Sequence, residues 1–144
     1  HCIYCLALAL MFVACDPIYK RKYELNIPSA GGHTQDLNFR VDAISDALRA
    51  IDDIAVGHGM KQRDVDQPKQ KELMRRAYLI QYTEASSGQK SVSLNVEVNT
   101  KAGNVIITLV DFFRITQSNL SREIESDLIN AMRTKYGDKS INAF

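Results

Sequence analysis

Three observations predict an α+β fold, a two-layer sandwich in which a mainly antiparallel sheet of four or five strands carries two helices on one face. Ser91 to Asn99 alternates strictly, with Val92, Leu94, Val96 and Val98 on one side and Ser91, Ser93, Asn95, Glu97 and Asn99 on the other, which is the two-residue period of a half-buried strand. Two further β-rich runs flank it, Tyr78 to Glu84 and Val105 to Phe113, and the turn sequences Ser86-Ser87-Gly88 and Lys101-Ala102-Gly103-Asn104 join the three as hairpins. Two other segments follow a helical period, and each must bury its apolar stripe against the meander.

The first element is a strand in which Tyr23, Leu25 and Ile27 alternate with Glu24 and Asn26, ended by Pro28 and followed by a loop from Ser29 to His33. From Asn38 the period changes. Val41, Ile44, Leu48, Ile51 and Ala55 fall on one helical face and Asp42, Asp46, Arg49 and Asp53 on the other, with Gly57 as the natural stop. Met60 to Arg63 is an optional short strand. Asp64 to Arg76 is polar, net basic and broken by Pro68, so it reads as a loop or a single helical turn. After the meander, Leu120, Ile124, Leu128, Ala131 and Met132 mark one face of a helix that begins near Ser118 and stops near Gly137.

The last meander strand is apolar on both sides: Val105, Ile107 and Leu109 share one face, while Ile106, Val110 and Phe112 share the other. Whichever side meets the helices, bulky apolar groups remain on the opposite side. Tyr78, Ile80 and Tyr82 repeat the ambiguity on the neighbouring strand, so the expectation is an outer strip of Tyr78, Ile80, Tyr82, Ile106, Val110 and Phe112, a contiguous patch of the kind that binds partners. The competing expectation is that the tail from Lys139 to Phe144 covers the strip with Ile141 and Phe144.

The N-terminal segment has a different character. From Cys2 to Cys15 there is no charge, and Leu6, Leu8, Leu10, Met11, Phe12 and Val13 form an apolar run of secretory-signal length, short of the about 20 residues a bilayer span needs. The run closes as Phe12-Val13-Ala14-Cys15, with polar sequence from Asp16 onward. This ending resembles the lipobox of bacterial lipoproteins, cleaved by signal peptidase II before a cysteine that already carries a diacylglyceryl group. Phe12 stands where that family favours leucine, and the basic segment of such a signal is expected upstream of His1. The resemblance implies a signal peptide over 1–14, a lipidated Cys15 with a short linker over 15–22, and a single α+β domain over 23–144. It also implies two or three fatty chains on Cys15, enough for stable anchoring at about 0.8 kcal/mol per buried methylene.

Asp16 matches the residue that in enteric bacteria retains lipoproteins at the inner membrane, so the expected location is the periplasmic side of the bacterial envelope, inner membrane over outer. Lys20, Arg21 and Lys22 follow closely and are candidates for contact with anionic headgroups.

The charged groups, 18 basic and 17 acidic, all lie beyond Cys15 and nearly cancel, leaving no global charge that would suit nucleic acid. With all three cysteines at positions 2, 5 and 15, a disulfide framework is excluded. Cys2-Ile3-Tyr4-Cys5 has the spacing of zinc and redox motifs but lacks a second pair.

Catalytic signals are equally sparse. His33 and His58 sit in glycine-flanked segments with no nucleophile at telling spacing. Asp52 and Asp53 point about 100° apart on a helix, and Glu123, Glu125 and Asp127 read as solvated groups near a helix start. Asp111, which interrupts an apolar strand, reads as a strand end at the sheet rim.

The element order is similar to small envelope lipoproteins such as the lipopolysaccharide-assembly lipoprotein, whose two-helix, one-sheet domain steadies a membrane complex. No residue motif beyond Phe12 to Cys15 carries that likeness. The expectation is a non-catalytic accessory lipoprotein, without cofactor or metal, that binds a protein partner in the envelope. An immunity or inhibitor lipoprotein acting on a toxin through charged loops, and a carrier of lipid or another apolar ligand, are the alternatives.

Overall fold

The computed structural model describes residues 16–27 and 37–144. The expected signal segment over 1–14, Cys15, Pro28, the loop from Ser29 to His33 and the side chain of Val41 lie outside the described residues. Eight elements follow in order: β1 Ile18–Asn26, α1 Leu37–Gly57, β2 Lys61–Arg63, β3 Leu73–Glu84, β4 Gly88–Asn99, β5 Asn104–Phe112, α2 Asn119–Tyr136 and β6 Ile141–Ala143. The strands form one antiparallel sheet in the order β2-β3-β4-β5-β1-β6. The fold is α+β with two helices on one face, as the periodicity predicts, and the sheet has six strands instead of four or five.

Register decides which residues face the helices. Leu94 lies opposite Tyr78 on β3 and Leu109 on β5, and Ile107 lies opposite Tyr23 on β1. All five belong to the face that α1 and α2 cover. The Tyr78 hydroxyl donates to Asp52 of α1 at 2.9 Å, and Arg21, on the same face, pairs with Glu125 of α2. Between the layers Leu25, Ile51, Leu94, Ile107, Leu109, Ile124 and Leu128 are fully buried in one cluster.

Two extra strand segments account for the larger sheet. β1 begins at Ile18, so the expected linker over 15–22 shrinks to the residues before the strand. The cationic run Lys20-Arg21-Lys22 hides a regular alternation that β5 pairs from Ile18↔Phe112 onward. β6 is the other addition. After α2, Gly137 turns with positive φ, the Asn26 N–H donates to the Ser140 carbonyl at 2.8 Å, and Ile141 comes to rest beside Leu25. The tail therefore extends the sheet, with Ile141 in the core, and does not lie over its outer face. β3 also starts early, at Leu73, because the Gln67 side chain pairs with the backbone N–H and carbonyl of Arg75 at 3.0 and 2.9 Å.

The turns follow their sequences. Gly88 adopts φ +83° where β3 reverses into β4, and Gly103 adopts φ +72° before β5. The second turn is closed by Asn99, whose side-chain oxygen accepts from the Ala102 N–H at 2.9 Å.

Tyr78 links this packing to pH. Burial pushes its hydroxyl above the ordinary tyrosine value, the bond to Asp52 acts in the same direction and nearby Arg76 opposes them. The folded protein thus holds this proton more tightly than the unfolded chain, whose tyrosines titrate near about 10. Its contribution is complete below that pH and is lost as pH rises through the raised value. Tyr78→Phe is expected to lower stability by about 1 kcal/mol at neutral pH, and urea unfolding from neutral to alkaline pH should show a shallower alkaline decline in the variant.

Candidate functional site

The helix-free face of the sheet is the candidate site, and β5 runs through it. Ile106, Thr108, Val110 and Phe112 point away from the helices, flanked by Lys20, Lys22 and Glu24 on β1 and by Ser91, Ser93, Asn95 and Glu97 on β4. Ile106 and Phe112 are half-buried, whereas Val110 is buried at 7% exposure within the row. A groove of about 300 Å³ opens beside Ile106, lined by Lys22, Val65, Ala77, Asn95 and Thr108. Its wall is an Arg75–Glu97 ion pair at 2.8 Å, with Lys22 standing over the exposed Phe144 ring at 5.7 Å.

The expected strip is split by this geometry. Ile106, Val110 and Phe112 share the helix-free face, but Tyr78, Ile80 and Tyr82 lie opposite Leu94, Val92 and Lys90 and so face the helices. Tyr78 is core. Alternation fixes which residues of one strand share a side, whereas the relation between strands depends on register, which periodicity within each run leaves open. In place of the aromatic residues, β3 contributes Arg75, Ala77 and Leu79 to the helix-free side.

Alternation also divides the three cations expected at a membrane surface. Lys20 and Lys22 face outward from the helix-free side, while Arg21 turns toward α2, 3.4 Å from Glu125 and over the Tyr23 ring at 5.9 Å. Glu125 in turn accepts from the Gln117 side chain at 2.6 Å. It is buried and paired, not part of a solvated helix face, and half-buried Asp52 accepts from the Tyr78 hydroxyl. Asp16 is exposed just before β1, and Cys15 lies outside the described residues.

Two of the groups with catalytic potential, His58 and Asp111, make contacts within the fold, and His33 lies outside the described residues. His58 follows α1 in a turn where the His58 and Met60 N–H groups donate to the carbonyls of Ile54 and Ala55, and its ring meets Asp127 of α2 at 2.7 Å. Asp111 is not at an open rim. It is 1% exposed, and its carboxylate accepts from the Ser121 hydroxyl at 2.6 Å and the Ser118 N–H at 3.3 Å, while the Ser118 hydroxyl accepts from the Ser121 N–H at 3.0 Å. Asp111 and Ser118 together satisfy donors at the start of α2. No group of three or more metal-ligating side chains occurs among the described residues, and no helix among them is long and apolar enough to cross a membrane.

No protein family, curated protein or solved structure matches the chain.

The groove includes residues that sequence reasoning missed. Thr108 was implicit in the alternation of β5. Val65 has no local signal, since the β2–β3 connection carries it over the sheet, and Lys22 reaches the groove because β1 is longer than its apolar positions indicate.

Asp111→Ala removes the acceptor for Ser121 and leaves buried donors unpaired, so it is expected to destabilise the fold by about 1–3 kcal/mol. Thermal unfolding checks this, and Glu125→Gln, which changes a partly accessible pair, should cost less.

Proposed function

We propose that the chain is a membrane-anchored, non-catalytic accessory lipoprotein of the bacterial envelope that binds a protein partner on the periplasmic side through its helix-free sheet face. The observation that carries this reading is the β5 row on the side that neither helix covers, in which half-buried Ile106 lies between Glu24 and Glu97 and half-buried Phe112 between Ile18 and Ser91. An apolar centre within a polar rim is the usual anatomy of a protein interface. The resemblance of Phe12-Val13-Ala14-Cys15 to a lipobox supplies the anchor and the compartment.

The face is favoured over the edges. The edges are charged where β2 and β6 do not extend the pairing of β3 and β1: β2 carries Lys61 and Arg63, and Lys20, Arg21 and Lys22 lie on β1 beyond the three residues that β6 pairs. Charge at an edge discourages strand addition. A lipid carrier would place its cavity between sheet and helices, where Leu25, Ile51, Leu94 and Ile107 pack in the core cluster. The charged β2–β3 connection, which the toxin-inhibitor reading would use, instead contributes Val65 to the groove.

Ile106→Asp tests the proposal. Recovery of a co-purifying partner from detergent-solubilised native membranes should fall roughly tenfold, corresponding to about 1.4 kcal/mol, with the thermal midpoint nearly unchanged because Ile106 lies outside the core. Unchanged recovery by a folded Ile106→Asp protein contradicts partner binding through this face.

A further inference from the structure

The end of the sheet nearest Cys15 carries a second apolar feature that partner binding leaves unused. Ile18, Phe113 and Ile115, three of the largest exposed apolar side chains among the described residues, gather there. Ile18 pairs with Phe112 at the end of β5, and the next residues turn across the N-terminal segment, where the Arg114 N–H donates to the Pro17 carbonyl at 3.0 Å. Ile115, at 82% exposure, is the most exposed of the three.

This turn is held in place. Phe113 has φ +62°, a backbone conformation that bulky residues rarely adopt. The Lys90 ammonium, on a side chain otherwise buried, donates to the Phe113 carbonyl at 2.9 Å, and Arg114 forms an ion pair with Glu84 at the tip of the β3–β4 hairpin. Two oriented cations thus fix a loop whose apolar side chains reach solvent. A satisfied core loop would turn Phe113 and Ile115 inward.

We infer that Ile18, Phe113 and Ile115 form a membrane-contacting rim that seats in the interfacial layer of the bilayer to which Cys15 is attached. The inference rests on the anchor reading, and covalent geometry identifies the occupant. Pro17 is the second residue after Cys15, a reach of at most about 7 Å, and its carbonyl is hydrogen-bonded to the loop itself. A diacylated Cys15 brings these side chains to the headgroup region whatever the tilt of the domain. Phe and Ile at that depth bury apolar surface, and Lys20, two residues from Ile18 on the outward face of β1, suits anionic headgroups. The far end of the sheet, at the Ala102 turn, lies about 27 Å away along β4 at roughly 3.4 Å per residue. Anchor and rim together hold the strands steeply to the membrane, with the β5 row facing sideways toward neighbours in the envelope.

Single-cysteine labelling of the full, processed chain tests the rim, because acylation blocks the thiol of Cys15 and the rest of the mature sequence has none. Ile115→Cys and Ala102→Cys, both at exposed positions, would carry a nitroxide probe in vesicles of phosphatidylethanolamine and phosphatidylglycerol. The Ile115 probe should be roughly fivefold less accessible to an aqueous relaxation agent than the Ala102 probe, and more accessible to oxygen, as expected of a group at the headgroup boundary. Retention of the unlabelled protein on carbonate-washed membranes reads the anchor separately. Retained protein whose two probes are equally accessible to the aqueous agent overturns the rim while leaving the anchor intact. Protein released by the wash overturns the anchor, and the rim with it.

Discussion

The antiparallel pairing of β1 with β5 is the constraint on which the rest of the molecule depends. It places β1, the first strand among the described residues, inside the sheet, between β5 and β6, and so ties the end nearest Cys15 to the middle of the domain. One face of β5 supplies Val105, Ile107 and Leu109 to the core. The other supplies Ile106 and Phe112 to the helix-free surface. At its end Asp111 accepts from Ser118, the N-cap of α2, and from Ser121, and just beyond it the Arg114 N–H donates to the Pro17 carbonyl. Core, outer face, helix start and N-terminal attachment therefore share one strand.

Much of this was legible in the sequence, and what was missed has a common cause. Periodicity within a segment revealed α1, α2 and the three meander strands, because helix and strand each impose a repeat on apolar positions. It gave the membership of each face of β5 correctly and left open how β3 stood against it. Tyr78, Ile80 and Tyr82 were assigned to the wrong side for that reason, since register is a relation between strands and no residue of β3 encodes it alone. The start of β1 was missed because Lys20, Arg21 and Lys22 look like a solvated tether, although alternation sends Arg21 to Glu125 and the two lysines outward. Val65 reached the groove through the path of a loop, for which the sequence carries no repeat.

Charge in this domain mainly organises structure. Glu125 bridges Arg21 and Gln117, Asp52 receives the Tyr78 hydroxyl, and Asp127 meets His58. These contacts join helices to sheet or to each other. The partners of Glu125 and Asp52 on the sheet, Arg21 and Tyr78, lie on elements other than their own, so the same contacts specify how the two layers are arranged. Such a frame can leave its helix-free side to recognition, with an apolar row at the centre and charges at the margin. A tether only a few residues long would give that surface a restricted orientation, a property that suits a component of a fixed assembly better than a diffusing carrier.

The intact mass of the protein extracted from its native membranes tests the account most directly. A chain beginning at Cys15 and heavier by a diacylglyceryl group, with or without a further acyl chain, is the predicted result. A chain that keeps residues 1–14, or one whose Cys15 carries a free thiol, contradicts the anchor and the envelope role built on it.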